Sequence, residues 1–305
     1  MQRSVFGVLI VVTFVAVGLA AAPPLTFTFS DVHANKTATE TDSYGVNNSG
    51  VIAGDYVDSA DVQHGMILAG TKLTTIDNKS CQTTGGTAGS ISFFGINSAG
   101  TAVGWCINTK GVQIGFTWAK GKFSAVNFPK ATGTEATGIN DMGDVVGIFV
   151  DSAGNGHGFL LANKKYTQID VKGATATEAW GIDNAGDITV YTGSVSAGAI
   201  SCSTTAPCTS YIRKGTKLTK ISPPKAGPIG AVVHVPNNKG DIDGTYFNSS
   251  GQSVGFLLHA GKYYDVLDPK ANASTRDDGL NDKLEMVGRY TNSAGATLGF
   301  KATTK

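Results

Sequence analysis

A Gly-Ile-Asn phrase that leads into a tight turn returns along most of this chain, and it restricts the fold more than any other feature. The clearest copy is Gly138-Ile139-Asn140, with Gly143 in the turn and Gly147 in the apolar run that follows. The other copies begin at Gly45, Gly95, Gly181, Val235 and Gly279. Six copies at a period of roughly 43 to 54 residues are typical of four-stranded propeller blades.

Each repeat divides into four short strands. In the third copy the strand sequences are EATGIN, DVVGIFV, HGFLLA and YTQID, and they are separated by NDMG, DSAGNG and NKK, which are rich in turn-forming residues. The chain has 40 glycines and only 15% charged residues, a composition that favours many short strands over a helical bundle. The sequence therefore predicts an all-β protein.

The two ends of the chain complement each other. The sixth repeat stops after its third strand, LGFKATTK, whereas Leu25–Asp31 (LTFTFSD) matches the fourth-strand pattern and precedes the first repeat. We therefore predict a closed six-bladed β-propeller in which this N-terminal strand completes the last blade, so that no sheet edge of an open array is left unpaired. The propeller domain is predicted to cover residues 21–305.

The first residues have the pattern of a secretory signal peptide: Arg3, then an uncharged apolar run, then small residues. We predict cleavage after Ala20, with residues 1–20 as the signal peptide and the protein secreted to an extracellular or periplasmic location. The alternative is an uncleaved anchor, because Val5–Ala22 approaches the ~20 residues that span a bilayer.

An oxidising compartment favours disulfides between the four cysteines. Cys202 and Cys208 flank a short loop, and this leaves Cys81 to pair with Cys106. A zinc site is the competing interpretation, but these spacings fit no standard zinc pattern, and we predict no bound metal.

The unit GINDMGDVVGIFVDSAGNGHGFLLANKKYTQID resembles the extracellular HAF-type repeat of exported bacterial proteins, which is named for a His-Ala-Phe triplet. His157-Gly158-Phe159 takes the place of that triplet here, with glycine instead of alanine. The resemblance covers the whole mature chain, with the fourth and fifth units departing most. It implies an extracellular β-propeller without an established activity, so it assigns no catalytic residues.

Loop lengths indicate which face of the disc binds a ligand. Turns between strands one and two, and between three and four, are short and uniform, whereas the other two sets of connections vary in length. Because strands alternate in direction, both variable sets emerge on one face, as in many binding surfaces built on rigid scaffolds. At the channel mouth on this face we expect ligand contacts from Asp42, Glu135, Glu178, Trp180, Arg276 and Asp277.

Two function classes follow from these expected contacts at the channel mouth. The first is a non-catalytic secreted propeller that binds a glycan, a peptide or a cell-envelope protein. The alternative is a carbohydrate-active hydrolase or lyase that uses Glu135, Glu178 and Asp42 as acid and base groups. No cofactor is expected. The formal charge of +1 and the absence of a Lys/Arg block argue against a nucleic-acid partner.

Overall fold

The computed structural model describes residues 25–82, 88–89, 91–196, 199–272 and 274–305, and the predicted signal peptide lies outside them. The regular secondary structure of the described residues consists of β-strands that form six sheets arranged as the blades of a propeller. The predicted fold class is thus confirmed.

The blades follow one another in chain order. An N-terminal strand, β1 (Phe27–Val32), precedes the first blade, which contains β2 (Glu40–Val46), β3 (Ile52–Val57), β4 (Gln63–Ala69) and β5 (Lys72–Ile76). The short strands β6 (Asn78–Gln82) and β7 (Ala88–Gly89) lead into the second blade, which contains β8 (Ser92–Ile96), β9 (Ala102–Asn108), β10 (Gln113–Ala119) and β11 (Lys122–Val126). The third blade contains β12 (Gly133–Ile139), β13 (Val145–Val150), β14 (Gly156–Ala162) and β15 (Lys165–Ile169).

The other three blades repeat the plan. The fourth contains β16 (Ala176–Ile182), β17 (Ile188–Ser196), the short β18 (Ala199–Ser201), β19 (Thr209–Lys214) and β20 (Lys217–Ile221). The fifth contains β21 (Ala231–Pro236), β22 (Ile242–Phe247), β23 (Ser253–His259) and β24 (Lys262–Val266). The sixth contains β25 (Ser274–Leu280), β26 (Met286–Thr291) and β27 (Thr297–Thr304).

The N-terminal strand closes the ring as predicted. β1 pairs antiparallel with β27 over six residue pairs, from Phe27 opposite Thr304 to Val32 opposite Gly299. Phe29 packs its ring against Phe300 in an edge-to-face contact at 5.6 Å. The last blade therefore has four strands, with β1 on its outer edge.

The repeated asparagine joins neighbouring blades around the axis. In the third repeat the Oδ1 atom of Asn140 accepts hydrogen bonds from the backbone N–H groups of Met142 and Asp144, which fixes the turn. Its Nδ2 atom donates to the backbone carbonyl of Asp183 in the next blade at 3.2 Å. Equivalent links run from Asn47, Asn97, Asn237 and Asn281 to the blades that follow them. We call this ring of side-chain amides the asparagine ring.

The repeated glycine allows this close approach of the blades. A Cβ atom on Gly138 would lie 2.5 Å from the backbone oxygen of Trp180 and 2.9 Å from the Cα atom of Gly181. Any larger residue would therefore push two blades apart at the axis. This packing requirement explains why glycine begins five of the six copies, with Val235 as the exception.

Both predicted disulfides are present. Cys81–Cys106 ties β6 to β9, and Cys202–Cys208 closes the loop between β18 and β19. They stabilise the face that carries the connections between strands two and three and between strands four and one, which we call the variable-loop face. The opposite face carries the short turns, and we call it the short-turn face.

Candidate functional site

Every innermost strand contains a β-bulge at the same point in the repeat. The pairing of β2 with β3 shifts between Ser43 and Gly45, and the other five innermost strands shift at the equivalent place. A bulge leaves one residue unpaired and changes the direction of its side chain. The residues just before the repeated phrase at these positions are Tyr44, Phe94, Thr137, Trp180, His234 and Asp278, and in the fifth blade Val235 is unpaired as well. We call them the bulge layer.

Aromatic members of the bulge layer meet across the axis. The rings of Phe94 in the second blade and Trp180 in the fourth are 5.4 Å apart, although the third blade lies between these two blades in the ring. Thr137 is the small residue that the third blade contributes. Tyr44 packs edge-on against Phe94 at 4.7 Å, and Trp180 lies 4.9 Å from the His234 ring. These contacts fill the channel at this depth.

Charged groups complete the layer on the side of the first and sixth blades. Asp278 is fully buried, and its carboxylate lies 3.6 Å from Arg289 Nη1 and 4.0 Å from Arg276 Nε. Although burial opposes ionisation, these two guanidinium groups hold the pKa of Asp278 below its usual value. Arg289 also lies 3.7 Å from Asp42 and stacks over the Tyr44 ring at 4.9 Å. The cluster therefore pairs two cations with two carboxyl groups.

Several polar atoms in this cluster lack a hydrogen-bond partner within the described residues. They include Trp180 Nε1, His234 Nε2, both carboxylate oxygens of Asp278 and Arg289 Nη1. Burial lowers the pKa of His234 to about 4, so its ring is neutral at pH 7. His234 Nε2 lies 3.8 Å from Asp278 Oδ1, so the polar atoms of this cluster face one another at 3.6 to 4.0 Å without close hydrogen bonds.

Glu135 and Glu178 form a separate pair between the third and fourth blades. Both side chains are buried, and Glu178 accepts a 2.6 Å hydrogen bond from the Tyr191 hydroxyl while Glu135 accepts one from Gln113. Burial raises the pKa of Glu178 to about 7, against the opposing effect of the Tyr191 hydrogen bond. Burial and the neighbouring Glu178 carboxylate raise the pKa of Glu135 well above its usual range.

The sequence-based candidates therefore fall into groups that differ in exposure. The Arg276 side chain is 36% exposed, whereas that of Asp42 is 14% exposed and has a buried Oδ1 atom. Trp180 is nearly buried and belongs to the bulge layer, and Asp277 is buried against the fifth blade. Glu135, Glu178 and Asp277, which we expect to contact a ligand, are buried because the neighbouring blade covers these inner strands.

Sequence reasoning missed most of the bulge layer. In a regular strand side chains alternate between the two faces, but the extra residue in the bulge directs the side chain just before the glycine to the axis. Tyr44, Phe94, Thr137 and His234 were not singled out for this reason, and neither was Arg289. The available signal was chemical diversity: the residue just before the phrase differs in every repeat, although the phrase that follows it is repeated.

An axial cavity opens on the short-turn face, on the other side of the bulge layer. Its volume is about 80 Å³, and its walls are the repeated turns around the asparagine ring, with Phe94 and Thr137 also in its lining. Across the described part of the chain, no group of three or more His, Cys, Asp or Glu residues is arranged to hold a metal ion.

Comparison with known proteins identifies the architecture. No protein-family model and no curated protein matches the sequence. Among solved structures, a mutant Aleuria aurantia lectin in complex with Fucα1-6GlcNAc matches with a TM-score of 0.53 and 9% identity, over 88% of this chain and 96% of that one. A fungal lectin with a six-bladed β-propeller fold, from the same species, matches with a TM-score of 0.50 and 8% identity, over 85% and 89% of the two chains.

A third structure, a mutant of AofleA from Arthrobotrys oligospora, matches with a TM-score of 0.50 and 8% identity over 92% of this chain and 83% of that one. Within the described residues no helix is long and apolar enough to span a membrane. At these identities the likeness concerns the fold, and the chain shares the six-bladed β-propeller architecture of the Aleuria aurantia lectin.

Proposed function

We propose that this protein is a secreted, non-catalytic β-propeller of the HAF-repeat type that binds a glycan at the axis of its variable-loop face. The observation that carries the proposal is the arrangement of Arg276, Asp42 and Arg289 beside the aromatic bulge layer. Sugars combine apolar ring faces with hydroxyl groups, so they are bound by aromatic side chains together with a few fixed polar groups. Partial exposure of Arg276 and Asp42 provides the polar contacts from the solvent side.

Two further observations support this proposal. The six-bladed fold is shared with lectins, one of which was solved in complex with a fucosylated disaccharide. Two disulfides fit a protein that folds in an oxidising compartment, as the predicted signal peptide requires. A peptide or an envelope protein is the remaining ligand class for the same face.

A carbohydrate-active enzyme is the second candidate, and one observation favours it. Glu178 has a pKa of about 7, a value suited to a general acid, and Glu135 lies beside it. Against this function, both carboxyl groups are buried between blades and are held by Tyr191 and Gln113. A glycosidase acid must instead reach the oxygen of the scissile bond.

A glycan array, run beside a hydrolysis screen on the same folded protein, tests the two functions. We expect saturable binding to a defined set of glycans and no hydrolysis of any bound glycan. Binding without turnover that persists in Glu178→Gln supports the lectin-like function. Hydrolysis that falls by 10²–10⁴-fold in Glu178→Gln supports the enzyme, because general acid/base groups contribute rate factors of that size. An array without any bound glycan contradicts both proposals.

A further inference from the structure

The hairpin turns at the rim of the short-turn face carry an unusual charge distribution. In five blades the third and fourth strands are joined by a two-residue turn, and lysines lie in or beside these turns. The exposed lysines there are Lys72, Lys120, Lys122, Lys164, Lys165, Lys214, Lys217 and Lys262. The five segments, 69–72, 119–122, 162–165, 214–217 and 259–262, contain no aspartate or glutamate.

Most of these lysines have no acidic partner. Lys214 forms an ion pair with Asp187, whereas the other seven make no ion pair with any described residue. We call these seven lysines the basic rim. They are separated by long stretches of sequence, so no Lys/Arg block is visible in the chain, and only the propeller brings them to one face.

Acidic groups of the same face are satisfied internally. Asp282 accepts hydrogen bonds from Asn48 and Asn238, and Glu285 pairs with Lys301 at 2.7 Å. Asp241 likewise pairs with His259 at 2.7 Å. These carboxylates hold the turns together, and Asp282 keeps its negative charge because its hydrogen-bond donors are neutral amides. The hairpin turns at the periphery carry positive charge only.

Protection of sheet edges explains only part of this pattern. A charged residue on an outer strand, lysine above all, discourages pairing with another chain. Five of the seven lysines begin such a strand: Lys72, Lys122, Lys165, Lys217 and Lys262. Lys120 and Lys164 lie in the turns themselves, outside the strands.

We infer that the short-turn face docks on a planar anionic lipid surface through the basic rim. The lysines are distributed around the circumference over five blades, and the axial cavity between them is lined by the acidic turns, so this arrangement offers no continuous track for one polyanion chain. A flat surface with many anionic headgroups can meet all five turns together. In this orientation the variable-loop face points away from the surface, toward its ligand.

Flotation with phosphatidylcholine vesicles, with and without phosphatidylglycerol, tests this inference. We expect binding only to the vesicles that contain phosphatidylglycerol, and release in high salt because exposed charges are screened. Each lysine near an anionic surface is worth roughly fivefold in affinity, so Lys122→Gln/Lys165→Gln/Lys217→Gln should weaken binding about 100-fold.

Lys110→Gln/Lys130→Gln/Lys172→Gln is the matched control, because it removes the same charge from the loops of the variable-loop face. The control should change affinity less than about threefold, and both variants should melt like the wild type. Equal weakening by the two variants would show a net-charge effect without a docking face. Tighter binding to soluble dextran sulfate than to the vesicles would make a polymer the partner, and binding to neither probe would overturn the inference.

Discussion

The side-chain amide of Asn281 donates a 2.9 Å hydrogen bond to the backbone carbonyl of Asn47, and so joins the last blade to the first. The ring is therefore closed twice, at the axis by this bond and at the periphery by β1. The asparagine ring has one gap: Asp183 occupies the position of the amide donor in the fourth blade, and a carboxylate cannot donate to the carbonyl of Asn237.

Asp183→Asn should stabilise the protein. The substitution preserves the Oδ1 acceptor that fixes the turn and supplies the missing donor, so we expect an increase of about 0.5–1.5 kcal/mol in the free energy of unfolding. Denaturant unfolding at neutral pH measures this change. Asn140→Asp is the reciprocal control and should destabilise the fold, since it removes the link to Asp183.

The effect of Asp183→Asn should also depend on pH. Burial and the neighbouring Asp187 carboxylate raise the pKa of Asp183 above its usual value. A raised pKa means that the ionised carboxylate is disfavoured in the folded state, so stability is lost as pH rises from the unfolded value through the folded one. The advantage of asparagine should be present at neutral pH and decrease in acid. An advantage that is independent of pH would contradict this explanation.

Removal of the N-terminal strand should destabilise the whole propeller. A mature chain that lacks residues 21–31 exposes the edge of β27 and loses the contact of Phe29 with Phe300, together with the hydrogen bond from Tyr290 to Asp31. Burial of one large apolar side chain alone contributes about 1.5–3 kcal/mol. We expect a clearly lower melting temperature by calorimetry, and a deletion variant that melts like the full protein would refute closure by β1.

The two disulfides should differ in their effect on stability. They close loops with sequence separations of 25 residues for Cys81–Cys106 and 6 residues for Cys202–Cys208. Loop-closure entropy increases with loop length, so replacing both cysteines of the first pair with alanine should cost roughly 1 kcal/mol more than replacing the second pair. Thermal melting of the two double variants shows which disulfide contributes more to stability. A larger loss of stability in the variant without Cys202–Cys208 would be the contrary result.

Two histidines should give the protein a pH-dependent stability. His157 contacts Asp170 at 2.8 Å and Asp151 at 3.3 Å, and His64 makes the equivalent contacts with Asp77 and Asp58. Burial opposes protonation, but the hydrogen bonds to these carboxylates raise the pKa of both rings above 6.5. Their contribution is therefore complete below pH 6.5 and is lost as pH rises through the folded pKa values.

His64→Gln/His157→Gln should consequently lower the melting temperature at pH 5.5 more than at pH 8.5. The buried Glu178 also favours low pH, because its pKa is raised, so the comparison with wild type isolates the histidine contribution. His33→Gln is the matched control at an exposed histidine. An equal decrease in melting temperature at both pH values would exclude the hydrogen bonds of the charged histidines as the source of the pH dependence.

The sequence was sufficient to predict the six blades, the closure of the ring by β1 and the two disulfides. Each of these features depends on a repeated or complementary pattern that is visible in the chain. The role of Asn140 required the structure, since its amide reaches a blade that lies 43 residues further along. Burial of Glu135 and Glu178 was also invisible, because it results from packing between blades. Bulges decide which side chains reach the axis. The alternation of side chains along a regular strand does not reveal where a bulge lies.

The location of the bound glycan is the measurement that tests the proposed function most directly. Chemical-shift mapping should use the glycan that gives the strongest array signal, with the folded protein and with Arg276→Gln. We predict shifts around Arg276, Asp42 and Trp180 that are lost in the variant, while Arg213→Gln, as the control, behaves like the wild type. Shifts confined to the short-turn face, around Asn97–Gly100 and Asn140–Gly143, would contradict a binding site on the variable-loop face.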